Sequence, residues 1–157
     1  MITTYEILRF FHVTGATVLL GTGAGIAFFM VASHQSRDPK LIAHVAGIVV
    51  LADTVFTATA ALFQPITGYL LIRELGYDLM EPWIVLSLVL YVFVGMFWLP
   101  VVWIQIQMRN LARGAAEMGA ALPDRYHRLF RIWFACGFPA FFAVLAILWL
   151  MLTRPTF

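Results

Sequence analysis

The sequence predicts an all-α protein, a four-helix transmembrane bundle of antiparallel, up-down topology. Three observations carry that prediction. Of the 157 residues, 62% are hydrophobic and only 11% are charged, with a mean hydropathy of +0.91, which excludes ordinary soluble composition. Four apolar runs, three of them uncharged and one interrupted only by Asp53, each exceed the roughly 20 residues that a helix needs to cross a bilayer. The segments between them leave no room for a soluble catalytic domain, so residues 1–157 read as a single integral membrane domain whose chemistry is built from helices and short connections.

The first run lies between Arg9 and Arg37 and predicts a helix over about residues 6–33. Its start, Met1-Ile2-Thr3-Thr4-Tyr5-Glu6, has no early basic residue, and the run is too long for a signal-peptide core. The helix is therefore expected in the mature protein. The second run, between Lys40 and Arg73, predicts a helix over about 41–73 with Asp53 inside it. The third, between Glu81 and Arg109, predicts about 82–110, with an alanine-rich extension that Gly119 and Pro123 end. The fourth, between Arg131 and Arg154, predicts about 126–153. Pro39, Pro82 and Pro123 stand just ahead of apolar runs, where a missing N–H does least harm. Pro65, Pro100 and Pro139 fall inside helices and predict kinks.

Seven of the ten basic residues, Arg37, Lys40, Arg109, Arg113, Arg125, Arg128 and Arg131, belong to the first and third connections or border them. The positive-inside rule then places these connections in the cytoplasm and both termini on the outer, periplasmic side. At these levels Trp83 and Trp149 mark the outer interface and Trp103 and Trp133 the inner one. A formal charge of +2 gives no reason to expect nucleic acid. Cys136 has no partner for a disulfide and reads as a small core residue.

Polar residues at one depth define a candidate site. His12 on the first helix is level with Gln64, Thr67 and Gly68 on the second, Trp83 and Ser87 on the third, and Met151 on the fourth. Gly15, Ala16, Leu19 and Gly23 share a face with His12, so small residues would admit a flat ligand or another helix beside the imidazole. The alternative is an interfacial histidine bonded to a neighbouring helix. Asp53 is expensive at its depth and shares a stripe with Thr57, Ala60 and Gln64. It reads as a proton-handling carboxylate, a buried counterion, or a packing contact to Gln105 or Arg131. His34, His44 and His127 share a level near the basic end without zinc-type spacing. Gly21 and Gly25 form a Gly-x-x-x-Gly pair suited to internal packing or a dimer seam. Phosphate-loop, paired-cysteine and triad motifs are missing, which leaves hydrolase and nucleotide-driven readings without support.

The stretch Phe11-His12-Val13-Thr14-Gly15-Ala16, the segment Leu51-Ala52-Asp53, Gln64-Pro65-Ile66-Thr67-Gly68, Pro82-Trp83 and the ending Leu150-Met151-Leu152-Thr153-Arg154-Pro155 together resemble the bacterial integral-membrane family called domain-of-unknown-function family 2269. That resemblance implies four helices and a bacterial inner membrane, and brings no activity with it. A more distant likeness is to the four-helix protoporphyrinogen oxidase family and its copper-resistance and membrane urate-oxidase relatives. It implies that His12 is a haem ligand. The lysine of that family's third helix has no counterpart around Trp83-Ile84-Val85-Leu86-Ser87.

The leading expectation is a haem-b-binding membrane protein with His12 as axial iron ligand and Gly15, Gln64, Thr67 and Trp83 around the cofactor. Met151 is at the level of a sixth ligand, and electron would pass to a quinone or a redox protein. Two alternatives are a non-catalytic subunit of a homodimer or larger membrane complex and a small proton-linked transporter using Asp53.

Overall fold

The computed structural model describes residues 2–156 as four long helices joined by short connections. The predicted domain's end residues, Met1 and Phe157, lie outside the described residues. Helix α1 covers Thr4–Gln35, and Thr3 and Glu6 close a capping box at its start. Helix α2 covers Pro39–Leu75. Asp38 accepts from the Lys40 N–H and Pro39 takes the first helical position, while Gly76 ends the helix in the left-handed region that a side chain would strain. Helix α3 covers Pro82–Glu117 and carries the predicted alanine-rich extension. Helix α4 covers Asp124–Thr153. All four are long and apolar enough to cross a membrane.

The interior prolines Pro65, Pro100 and Pro139 lie within continuous helix. The break in regularity falls elsewhere: Asp53–Thr57 forms one π-helical turn, in which the Ala58 N–H donates to the Asp53 carbonyl. Such a turn inserts one residue and rotates everything after it. The stripe through Asp53 and Thr57 continues along the cavity through Ala61 and the expected Gln64, while Ala60 is buried beside it.

Packing differs between the two halves. At the Arg37 end, Ile26 and Met30 of α1, Ile42, Ala46 and Val49 of α2, Ile104 and Met108 of α3, and Tyr126 and Trp133 of α4 form one close-packed core. Toward the other end the bundle resolves into two pairs. The Ala58–Leu75 half of α2 stays on α1, α4 stays on α3, and the pairs stand apart. A smaller cluster of Trp83, Ile84 and Leu150, flanked by Ile72, Tyr77 and Met151, closes the far end of the α3–α4 pair.

Large apolar side chains such as Phe10, Phe28, Leu62, Phe63 and Leu152 cover the outside, as a lipid-facing surface requires. Trp103 and Trp149 belong to that surface, whereas Trp83 and Trp133 are buried in the two clusters and are not belt residues. The expected level was compatible with either place; the face each presents separates them. The pair Gly21 and Gly25 meets nothing within 4 Å of where a Cβ would stand, so no internal helix contact uses it.

The packed end should therefore carry stability. Ile42→Ala is expected to lower the unfolding free energy by about 2 kcal/mol or more. Leu62→Ala, on the lipid face, should change it by less than about 0.5 kcal/mol. Thermal and chemical unfolding in one detergent would measure both.

Candidate functional site

The separation of the two helix pairs creates a cavity of about 530 Å³ that all four helices line. Its walls are mainly apolar and aromatic: Leu19 and Leu20 from α1, Phe97, Trp98 and Val101 from α3, Phe134, Phe138 and Phe141 from α4. Glycines Gly23, Gly95 and Gly137 line it from three helices, and a Cβ at any of them would meet nothing within 4 Å.

Polar side chains gather at the end nearest the core. The π turn aims Asp53 and Thr57 inward, and Gln105, Trp98 and Trp133 face them. Asp53 is 3% exposed and Gln105 1% exposed. The Trp98 indole N–H points at Asp53 Oδ1 across 3.4 Å, a long contact, and Thr57 and Gln105 border the same carboxyl. Three buried atoms, Thr57 Oγ1, Gln105 Oε1 and Trp133 Nε1, have no hydrogen-bond partner. An unpaired buried polar atom costs about 1–3 kcal/mol, and all three belong to residues that line this cavity. Gln105 was an anticipated neighbour of Asp53; Arg131 is exposed and takes no part. Cys136 also borders the cavity and is only half-buried, so it is not a core residue.

The cavity has two lateral seams. Along one, α1 and α4 touch little; along the other, the second half of α2 stands off α3. The second seam is bridged by the Tyr91 hydroxyl, which donates to the Ala61 carbonyl. Both seams face the bilayer.

His12 lies elsewhere, in the contact between α1 and α2. Thr67 Oγ1 stands 2.9 Å from both His12 Nδ1 and the Phe63 carbonyl, so the hydroxyl ties the imidazole to the backbone of α2. Gln64 Nε2 donates back to the His12 carbonyl at 2.9 Å. Gly15 lets this happen, since a Cβ there would collide with the Gln64 amide, and a Cβ at Gly68 would stand 3.3 Å from His12 Cε1. His12, Gly15, Gln64 and Thr67 are thus brought together as an interhelical clamp. Trp83 and Met151 are not part of it. They pack in the α3–α4 cluster, where the Trp83 indole N–H donates to Glu81 at 2.7 Å.

Of the residues anticipated for a cofactor, Gln64 alone lines the cavity, together with Asp53. Neither a histidine nor a methionine does so. The close approach at Gly15 and Gly68 leaves no slot for a macrocycle between α1 and α2 at His12. Tyr91, Trp98 and Trp133 join the site without a signal in the sequence beyond their depth, since their direction depends on how α3 and α4 turn against α2. Among the described residues no group of three or more His, Cys, Asp or Glu could hold a metal.

A protein-family model described as "Predicted integral membrane protein (DUF2269)" matches residues 6–155. No curated protein and no solved structure matches the chain.

The clamp predicts a coupled pair of substitutions. Gly15→Ala should cost about 1 kcal/mol by expelling the Gln64 amide from its bond, and that cost should vanish in a Gln64→Ala background. A double-mutant cycle on unfolding in detergent reads the coupling; additive effects would separate the two residues.

Proposed function

The chain belongs to the DUF2269 family of integral membrane proteins, and from that premise we propose that it binds a flat lipophilic molecule of the quinone or quinol class in the cavity between its helix pairs. One observation carries this reading: three unpartnered polar atoms and a buried carboxyl meet in an otherwise apolar, aromatic-walled space. Ligand sites combine these features, with apolar walls for affinity and a few convergent polar groups for orientation. A ring carbonyl would accept from Trp133 Nε1, and a ring hydroxyl would donate to Gln105 Oε1 or Thr57 Oγ1. Asp53 stands where its carboxyl could accept a hydrogen bond from a quinol hydroxyl.

The size supports the same reading: about 530 Å³ lies within the range of small-molecule sites. The lateral seams suit a molecule that partitions into lipid and enters sideways, past Tyr91 or between α1 and α4. In this proposal the membrane is a bacterial inner membrane, with both termini outward.

Haem b held by His12 is the competing proposal. What favours it is the contact of Nδ1 with Thr67, which leaves Nε2 as the ring's remaining atom for ligation, the arrangement usual for metal-bound histidine. The packing at Gly15 and Gly68 speaks against it.

Titration with a short-chain ubiquinone should quench the Trp98 and Trp133 fluorescence in a saturable way. Trp133→Phe should weaken binding by roughly threefold to tenfold, the worth of one hydrogen bond, and Gly137→Leu should abolish it by filling the cavity while the protein still folds. Equal affinity in Gly137→Leu would overturn the site. The absorption spectrum of protein purified from its native membrane should show no Soret band. A Soret band that disappears in His12→Ala would establish the haem reading instead.

A further inference from the structure

The end of the bundle opposite the termini holds a second pocket, independent of the first, lined by His34, Gln35, Arg37, Ala121, Leu122 and His127. It lies where the α1–α2 connection meets the start of α4. We propose that this pocket binds a phosphate group. Its chemistry is one-sided: two imidazoles and a guanidinium line it, and none of its lining residues is acidic.

The donors are held in place by the core. The His34 ring stacks on Phe130, with centroids 3.7 Å apart and planes 10° from parallel. Its Nδ1 stands 3.3 Å from the hydroxyl of Tyr126, which is fully buried. That contact occupies Nδ1 and leaves Nε2 as the ring's remaining polar atom. The His127 ring meets His34 edge to face at 5.8 Å. Two imidazoles this close repel when both are protonated, and an anion between or above them removes that repulsion.

Arg37 adds a second line of argument. Its φ is 56°, in the left-handed region that costs an ordinary side chain strain and that glycine adopts freely. The helix ends at Gly76 and Gly119 use glycine, and Arg154, the other arginine at such an end, donates to the Tyr77 hydroxyl, a side-chain partner that Arg37 lacks among the described residues. A guanidinium kept at a strained position on a pocket rim is accounted for by a ligand that needs it, since arginine presents a fork of donors matched to phosphate oxygens.

Two sources carry this chemistry, free phosphate and the headgroup of an anionic phospholipid, and both are tested together. Imidazole Cε1–H resonances of His34 and His127 would be followed in detergent during titration with inorganic phosphate and, separately, with dihexanoyl phosphatidylglycerol. A saturable shift of both resonances with at least one probe is expected, and the probe that produces it identifies the source. Arg37→Gly should weaken that binding roughly tenfold or more, as loss of a charge-assisted hydrogen bond does, while leaving thermal stability equal or higher because glycine relieves the backbone. Arg113→Gln removes a charge near the same end without touching the pocket and should change affinity less than about twofold, within what screening leaves of a remote charge. No saturable shift with either probe would overturn the proposal. So would undiminished binding in Arg37→Gly, or an equal loss in Arg113→Gln.

Discussion

Helix α2 has to satisfy two neighbours that do not lie in line. Its first half packs on α3 as part of the core at the Arg37 end, and its second half packs on α1 through the His12 clamp. A straight α-helix keeps one face toward one side, so one helix serving both contacts has to change its facing partway. The π turn at Asp53–Thr57 makes that change by adding one residue to a single turn. Everything distinctive in the bundle follows from it. The helix pairs part beyond this point, the cavity begins here, and the residues of the turn are the ones that point into it.

Polar groups mark where the helices are tied together, because lipid offers them no alternative partner. The clamp of His12, Gln64 and Thr67 fixes α1 to α2, and Tyr91 reaches across from α3 to the Ala61 carbonyl. These ties close on backbone carbonyls or on each other, and they leave little unsatisfied. The Asp53 group behaves differently. Its contact with the Trp98 indole N–H is long, Thr57 and Gln105 border the same carboxyl, and Thr57 Oγ1, Gln105 Oε1 and Trp133 Nε1 keep no partner among the described residues. Within one membrane-embedded chain, the contrast separates polar residues whose bonds tie helices together from polar residues whose bonding capacity is left over.

The four helices were legible from hydropathy alone, since uncharged runs longer than a bilayer crossing admit few other structures. Asp53 and Gln64 were legible as site residues because a polar side chain at depth is expensive wherever it points. Direction was the part that the sequence withheld. Trp83 and Trp133 stand at the levels of interfacial tryptophans and turn inward instead, while Trp149 at the level of Trp83 is 66% exposed. The turn at Asp53–Thr57 was equally hidden, because no residue pattern announces a π turn. His12 and Trp83 share a depth yet belong to different helix pairs, a separation that exists only in three dimensions.

The glycines of the bundle fall into two kinds. Small residues in membrane helices ordinarily bring two backbones together, and substituting them causes collision. Gly15 and Gly68 fit that description, each with a neighbour's side chain where its own Cβ would be. Gly23, Gly95 and Gly137 do not, since a Cβ at any of them would meet nothing within 4 Å. Alanine or leucine at these three positions would shrink the cavity without disturbing a helix contact, and in lipid there is no hydrophobic penalty against the larger side chain. Their smallness gains the fold no contact. What it provides is room beside the ring systems of Trp98, Trp133 and Phe138, and room of that shape is of use to a flat molecule lying against them.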